Sequence, residues 1–371
     1  TRKASLEKAK LVFMSFSPSC ESYFHIHKGG WSATWKLRPI ENVNIVDMAE
    51  ERRASHFGLL ARSMIERIQT SDGDILLLVQ RRGSATSVGC RDCGYTEKCR
   101  VCQNILVFHE STKSLHCHYC RTQNPFSGQC PNCHGVLMAL RGAGVELVEK
   151  EVRTLCENKT SHDIIRFDGE SEHFISTDRP SRILIGTEAI FPHVRFDKTT
   201  TIIFVSLDQL LAMPEYRAQE HVWHCIGEMH YRGQKNADVF IQTHIPNHLI
   251  FRSIKEPDRF YRSDLQARKA FDYPPYHYLA RYLFSDQAQE VARREAERLF
   301  HHLENTLTTE EKKHILLIPP VVLHPAYYRG KYWYTLCAKL RIDHWSETLI
   351  LLNTHIPKTW KMDPNPLHVL S

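Results

Sequence analysis

The sequence predicts an α/β chain: a parallel-sheet domain interrupted by a cysteine-rich metal module and followed by a smaller α+β domain. Three observations carry this expectation. Short apolar runs alternate with segments of helical spacing from residue 44 to residue 250. Eight of the 12 cysteines fall in the 44 residues from Cys90 to Cys133. Beyond Tyr276 the grammar changes to strand, helix, strand, strand, helix, strand.

In chain order, Lys10–Ser17 reads as a buried strand, and Pro18-Ser19 opens a short helix. Asn44–Met48 is a strand. Phe57–Gln69 has apolar residues at helical spacing (Leu60, Met64, Ile65, Ile68), and Ile75–Val79 is an apolar run after the Ser71–Gly73 turn. Past the cysteines, Gly142–Cys156 is an amphipathic helix entered through Gly-Ala-Gly. Strands Asp163–Phe167, Ile183–Gly186 and Thr201–Ser206, helix Tyr216–Ile226 and strand Asp238–Thr243 follow. Strand–helix alternation with short connections is the pattern of a parallel sheet. In the tail, strand Tyr276–Phe284, helix Gln287–Leu303, strands Ile315–Ile318 and Tyr332–Ile342, helix Trp345–Asn353 and strand Leu367–Leu370 give β-α-β-β-α-β. That is the split βαβ, ferredoxin-like order. Pro274-Pro275 forbids helix and marks the boundary.

Composition excludes several classes. With 371 residues, 42% hydrophobic and 24% charged, the chain has apolar mass for two or three domains. The longest apolar run, Ile315 to Leu323, is nine residues with two prolines, too short to span a bilayer. No charged start followed by an apolar stretch lies near Thr1, so a cytoplasmic protein is expected. The net charge of +6 is uneven: residues 1–89 and 251–371 are each +4, and residues 134–250 are −4. Basic ends suit a polyanion, although scattered surface charge gives the same totals.

The cysteines form four C-x2-C pairs, Cys90/Cys93, Cys99/Cys102, Cys117/Cys120 and Cys130/Cys133. Each pair turns two sulfurs toward one cation, and two pairs make the S4 cage that zinc prefers, so two Zn2+ are expected. Fourteen residues separate the middle pairs, which is hairpin length, whereas five separate the first two. The expected pairing is therefore nested: Cys90, Cys93, Cys130 and Cys133 on one ion, Cys99, Cys102, Cys117 and Cys120 on the other. Cages closed by sulfur leave no position to activate water, so the module is expected to be structural. Each tetrathiolate adds −2 to the module's +2. The metallated module, near −2, is thus better suited to protein contact or to shape and ring-face contact than to clamping phosphate. The isolated Cys20, Cys156, Cys225 and Cys337 read as buried small hydrophobes. His25/His27 and His221/His224 read as core or surface imidazoles, since no carboxylate lies at ligand spacing beside either pair.

The motifs in order resemble the PriA family of bacterial replication-restart helicases. The cysteine ladder matches, as do Arg81-Arg82-Gly83 before it, Cys90-Arg91-Asp92-Cys93-Gly94-Tyr95, Cys117-His118-Tyr119-Cys120 and Gly142-Ala143-Gly144. Pro214-x-Tyr216-Arg217-Ala218-x-Glu220, Ile241-Gln242-Thr243, Tyr273-Pro274-Pro275 and Arg329-Gly330-Lys331-Tyr332 continue the series. The resemblance covers essentially the whole chain but only the family's C-terminal half. It implies a remnant of the first helicase lobe with a linker (1–43), a RecA-like second lobe (44–89 and 134–250) holding an inserted zinc-ribbon-like module (90–133), and a C-terminal DNA- and partner-binding domain (251–371). Implied partners are forked and single-stranded DNA, single-stranded DNA-binding protein and other primosome proteins, with no membrane.

The departures bear on activity. No G-x4-G-K-[ST] phosphate loop exists in the 371 residues. The family's coupling motif reads Ser15-Phe16-Ser17. Its second-lobe loop keeps Gly186 and Thr187 but, through Phe196, lacks the family's Lys, second Gly and Asp. Of the two finger arginines only Arg232 has a counterpart, and Arg217 stands in a preceding motif. Losing an arginine finger costs orders of magnitude in phosphoryl transfer. The expectation is a DNA- and partner-binding restart protein with degenerate helicase motifs, no catalytic residue and no ATP use. The alternative is an active 3'-5' helicase fragment whose ATP site lies in a missing N-terminal part; a third reading is a zinc-stabilised protein-interaction module. In the tail, Arg329, Lys331, Tyr332, Trp333 and Tyr334 put cations beside ring faces, as stacking on single-stranded bases requires. The same residues also read as a hairpin turn with an aromatic strand packed on the sheet.

Overall fold

The computed structural model describes residues 12–15, 17–33, 37–54, 56, 58–79, 86–90, 93, 95, 97, 99–100, 106–109, 113–116, 122–141, 144–157, 162–167, 181–211, 215–234 and 237–366. Strands β1 (Val43–Asp47), β2 (Asp74–Leu78), β8 (Asp163–Phe167), β9 (Arg182–Gly186), β10 (Thr199–Phe204) and β11 (Asp238–Thr243) form one six-stranded sheet in the order β1-β11-β10-β2-β9-β8. Its pairings are all parallel. Parallel strands covered on both faces read as unbroken apolar runs, and β2 and β9 are buried at every position.

Successive side chains along a strand point to opposite faces. Leu76, Leu78, Leu184, Ile202 and Phe204 pack with Trp223, Ile226 and Tyr261. Ile75, Leu77, Ile183, Ile185 and Ile203 pack with Met64, Ile68, Val148 and Val152. Helices Arg62–Thr70 and Val145–Cys156 therefore cover one face, and helices Ala218–Arg232 and Pro257–Ala270 the other. Fully burying each such aliphatic side chain contributes about 1.5–3 kcal/mol, so these two layers dominate the stability. At the start of β2, buried Asp74 accepts from Arg182 (3.1 and 2.9 Å) and from Arg195 (3.0 and 2.8 Å). Burial opposes its charge, but Arg195 and Arg182 hold the carboxyl below its usual range.

After β2 the chain leaves the sheet and builds a second, antiparallel one. Strands β3 (Thr86–Cys90), β4 (Val107–His109), β5 (Ser114–His116), β6 (Gln123–Pro125) and β7 (Met138–Arg141) lie in the order β6-β5-β4-β3-β7. The first and last of these pair with each other, Ser87 opposite Arg141 and Cys90 opposite Met138. Entry and exit thus lie side by side, and the parallel sheet accommodates the insertion without a break.

The tail forms a third sheet. Strands β12 (His277–Asp286), β13 (Ile315–Tyr328), β14 (Lys331–Arg341) and β15 (Lys361–Pro364) take the order β13-β14-β12-β15, all antiparallel. Helix Gln289–Thr306 buries Ala292, Ala296, Leu299 and Leu303, a single apolar stripe. The stripe packs with Leu336, Leu340 and Leu352, the last from helix Trp345–His355. The far end of β13 reaches the cysteine-rich insertion: Ala326 and Tyr327 share an apolar cluster with Val88, Cys99, Leu106 and Leu115.

One expectation is corrected. The stretch expected as a buried strand at Lys10–Ser17 is not one in its described part: residues 12–15 carry no strand, and Val12, Phe13 and Met14 are 66%, 61% and 92% exposed. Among the segment's described residues only Ser17 is buried, so the apolar content of Val12–Met14 alone did not bring them into a sheet. The strand expected at Leu367–Leu370 lies outside the described residues, and the edge position beside β12 is filled by Lys361–Pro364. Helix Pro257–Ala270, absent from the sequence reading, packs through Phe260, Tyr261 and Leu265 into the first core. Its mean composition is polar, which hid the buried stripe.

Candidate metal centre

Cys90 ends β3, Cys93 follows in a turn, and Cys130 and Cys133 flank a turn before β7. The turns are fixed by backbone: Cys90 N–H donates to Tyr95 O (2.7 Å), Cys130 N–H to Gly135 O (2.8 Å), and His134 N–H to Cys130 O (2.9 Å). This geometry brings the four sulfurs within 4.8 Å of one another. Cys90 Sγ lies 3.6 Å from Cys133 Sγ, and Cys93 Sγ 3.7 Å from Cys130 Sγ. Zinc–sulfur bonds of about 2.3 Å put the sulfurs of a tetrahedron roughly 3.8 Å apart. These separations are too long for sulfur–sulfur bonds, and none of the nine described cysteines is in a disulfide. The quartet is therefore placed to hold one zinc ion. When bound, the ion supplies cross-linking and charge neutralisation.

The quartet's protons are unevenly held. The Asn132 amide, 3.6 Å from Cys93 Sγ, and the Tyr95 amide draw the Cys93 thiol down to about 6. Although the Gly135 amide favours the Cys133 thiolate, contact with the sulfurs of Cys93, Cys90 and Cys130 pushes Cys133 up to about 12. Four adjacent thiolates need a cation. Of the inner quartet, Cys99 is buried in the cluster with Ala326, while Cys102, Cys117 and Cys120 lie outside the described residues.

The tail residues form a hairpin tip. Tyr328 pairs with Lys331, leaving Arg329-Gly330 as the two-residue turn. Their φ values of 52° and 78° are the left-handed pair that such a turn demands. Arg329 lies over the Tyr328 ring at 5.1 Å. Tyr332 packs on Tyr327, and Trp333 Nε1 donates to Tyr328 O (3.0 Å). Arg329 and Lys331 are exposed, and Tyr334 is buried. The aromatic residues thus serve the strand, and the cations face outward.

The motif positions of the larger domain are mostly committed to structure. Gly186 ends β9 where an added Cβ would meet Phe167 O at 2.6 Å, so the close approach requires glycine. Thr187 precedes a 3-10 helix, Glu188–His193. Arg217 pairs with Glu21 and with Glu220 (2.8 Å) and donates to Tyr216 Oη (2.8 Å). Arg232 pairs with Glu228 (2.7 Å) and lies over the Phe196 ring at 5.3 Å.

Two groupings escaped the sequence. Arg268, 2% exposed, joins Asp264 (2.6 Å), Glu21 (2.9 Å) and Glu220 (2.8 Å) in one buried ion network. Asp264 stands at i, i+4, but Glu21 and Glu220 lie too far away in sequence for spacing to reveal them. Cys225 also has company: Glu188 and His221 converge on it. The expectation that no carboxylate lies at ligand spacing beside His221/His224 fails in space, where Glu188 lies 3.3 Å from His221 Nε2. Only the i, i+4 spacing of His221 and Cys225 was legible.

No known protein-family model matches the chain. Among curated proteins, it is 28% identical over 333 residues to "Replication restart protein PriA" of Bacillus subtilis, covering 84% of this chain and 41% of that protein. It is 29% identical over 335 residues to the protein of the same name in Chlamydia muridarum, covering 83% and 44%. The Rickettsia conorii protein is 28% identical over 315 residues, covering 78% and 48%. This chain is a relative of PriA. It spans less than half the length of these three PriA proteins. Among the described residues of this PriA relative, no helix is long and apolar enough to cross a membrane.

Proposed function

We propose that this chain is a replication-restart protein that recognises forked and single-stranded DNA and helps assemble the primosome, without ATPase or helicase activity of its own. The observation that carries the reading is the relatedness to PriA across roughly four fifths of the chain. On this reading, residues 1–43 are a remnant of a first helicase lobe, and 44–89 with 134–250 are a RecA-like second lobe. Residues 90–133 are a module holding two zinc ions, nested as Cys90/Cys93/Cys130/Cys133 and Cys99/Cys102/Cys117/Cys120. Residues 251–371 are the C-terminal binding domain, of which Pro257–Ala270 packs back onto the first core and the rest is ferredoxin-like. The six-stranded parallel sheet and the β13-β14-β12-β15 order support these fold names.

DNA contact falls to the exposed Arg329 and Lys331, with Tyr332 and Trp333 shaping the arm that carries them. Single-stranded DNA-binding protein and other primosome proteins are the protein partners. The metal module supports such docking, because two tetrathiolate cages leave it near −2. Catalytic silence rests on the absent phosphate loop and on Arg217 and Arg232 being held in ion pairs. The test is ATP turnover by the purified chain with and without forked DNA. No stimulated turnover is expected; DNA-stimulated hydrolysis overturns the inactive reading. One observation favours the alternative of an active 3'-5' helicase fragment: the match covers less than half of each PriA relative, leaving room for an ATP site elsewhere.

A further inference from the structure

Helix Ala218–Arg232 buries Val222, Ile226 and Met229 against the parallel sheet. That anchoring fixes where its other side chains emerge. His221 and Cys225, one turn apart, share a face. Opposite them, the 3-10 helix after β9 is pinned by fully buried Ile190 and by Ile190 N–H donating to Thr187 O (2.9 Å). This presents Glu188 to the same point. Cys225 Sγ donates to Glu188 Oε1 (3.0 Å) and lies 3.7 Å from His221 Nε2, which lies 3.3 Å from Glu188 Oε1.

The geometry points to a divalent-metal site formed by Glu188, His221 and Cys225, separate from the cysteine module and suited to Zn2+ or Co2+. Tetrahedral bonds of about 2.0–2.3 Å to oxygen, nitrogen and sulfur put such donors roughly 3.4–3.6 Å apart. The sulfur–nitrogen and nitrogen–oxygen separations already lie close to that range, and only the sulfur–oxygen contact must open by about half an ångström. The Glu188 side chain, 41% exposed, has room to make that movement. Thiolate with imidazole selects zinc-class ions over magnesium or calcium, which demand oxygen. His221 is half exposed, so an ion has a path in, and three protein ligands leave a fourth position for water. The bound ion ties the segment after β9 to the helix carrying Arg217 and Arg232.

The site is independent of the replication reading, and its test reads metal alone. Co2+ is titrated into the full chain with its zinc retained, following metal content and the thiolate-to-cobalt absorption in the near ultraviolet. Native chain is expected to take up one more ion than Cys225→Ala, which lacks the absorption. His221→Gln, at a half-exposed position that does not threaten folding, is expected to weaken uptake at least tenfold. Equal uptake and equal spectra for native chain and both variants overturn the assignment.

Discussion

Arg268 shows how much a single residue organises here. Its guanidinium satisfies Asp264, Glu21 and Glu220 and also donates to Pro274 O (3.3 Å), tying three helices to the linker before the tail. Burial alone would raise the Glu220 carboxyl, but Arg268, Arg217 and the Cys20 amide hold it down at about 2. A folded-state value below the unfolded one stabilises the protein above the unfolded value, near 4.3, and that contribution is lost as pH falls through about 2. The native chain is therefore expected to lose about 2 kcal/mol between about pH 4 and pH 2 through this group. Glu220→Gln is expected to be less stable at neutral pH but flatter across that interval, as read by urea unfolding at stepped pH. Parallel pH profiles for the two proteins would contradict this role. Beyond the i, i+4 pair of Asp264 and Arg268, this was not legible from spacing, because Glu21, Glu220 and Arg268 meet only once three helices have packed.

At the scale of elements, legibility followed burial symmetry. β2 and β9 were readable because both faces of each are covered, which writes an unbroken apolar run into the sequence. Helix Pro257–Ala270 was not, since four of its six buried residues are Phe260, Tyr261, Asp264 and Arg268, two of them charged. The run from Val12 to Met14 shows the reverse error, apolar yet exposed. The outer cysteine pairs were readable because a C-x2-C turn dictates its own geometry; Glu188, brought to His221 and Cys225 by tertiary packing, carried no such signal. The β13–β14 hairpin was read two ways: the turn reading is met by Arg329-Gly330, and Arg329 and Lys331 are exposed. Replacing both cations by alanine is expected to weaken forked-DNA binding and flatten its log–log salt dependence by up to about two. Unchanged affinity and slope would remove the hairpin from the DNA interface.

For the whole molecule, the arrangement is one of joined parts. The cysteine-rich insertion leaves and re-enters the parallel sheet through paired strands, and the hairpin arm of the tail packs Ala326 and Tyr327 into that insertion's own apolar cluster. The metal module thus touches the tail's arm, and losing its ion would disturb the strand pair that carries Arg329 and Lys331. On the proposed reading, this coupling links the metal module to the DNA-binding arm. The most direct measurement is forked-DNA binding by the purified, zinc-loaded chain across a series of salt concentrations, with unbranched duplex as competitor. The account predicts preference for the fork, with log affinity falling linearly with log salt. Equal affinity for fork and duplex, or no binding at any salt concentration, would contradict it.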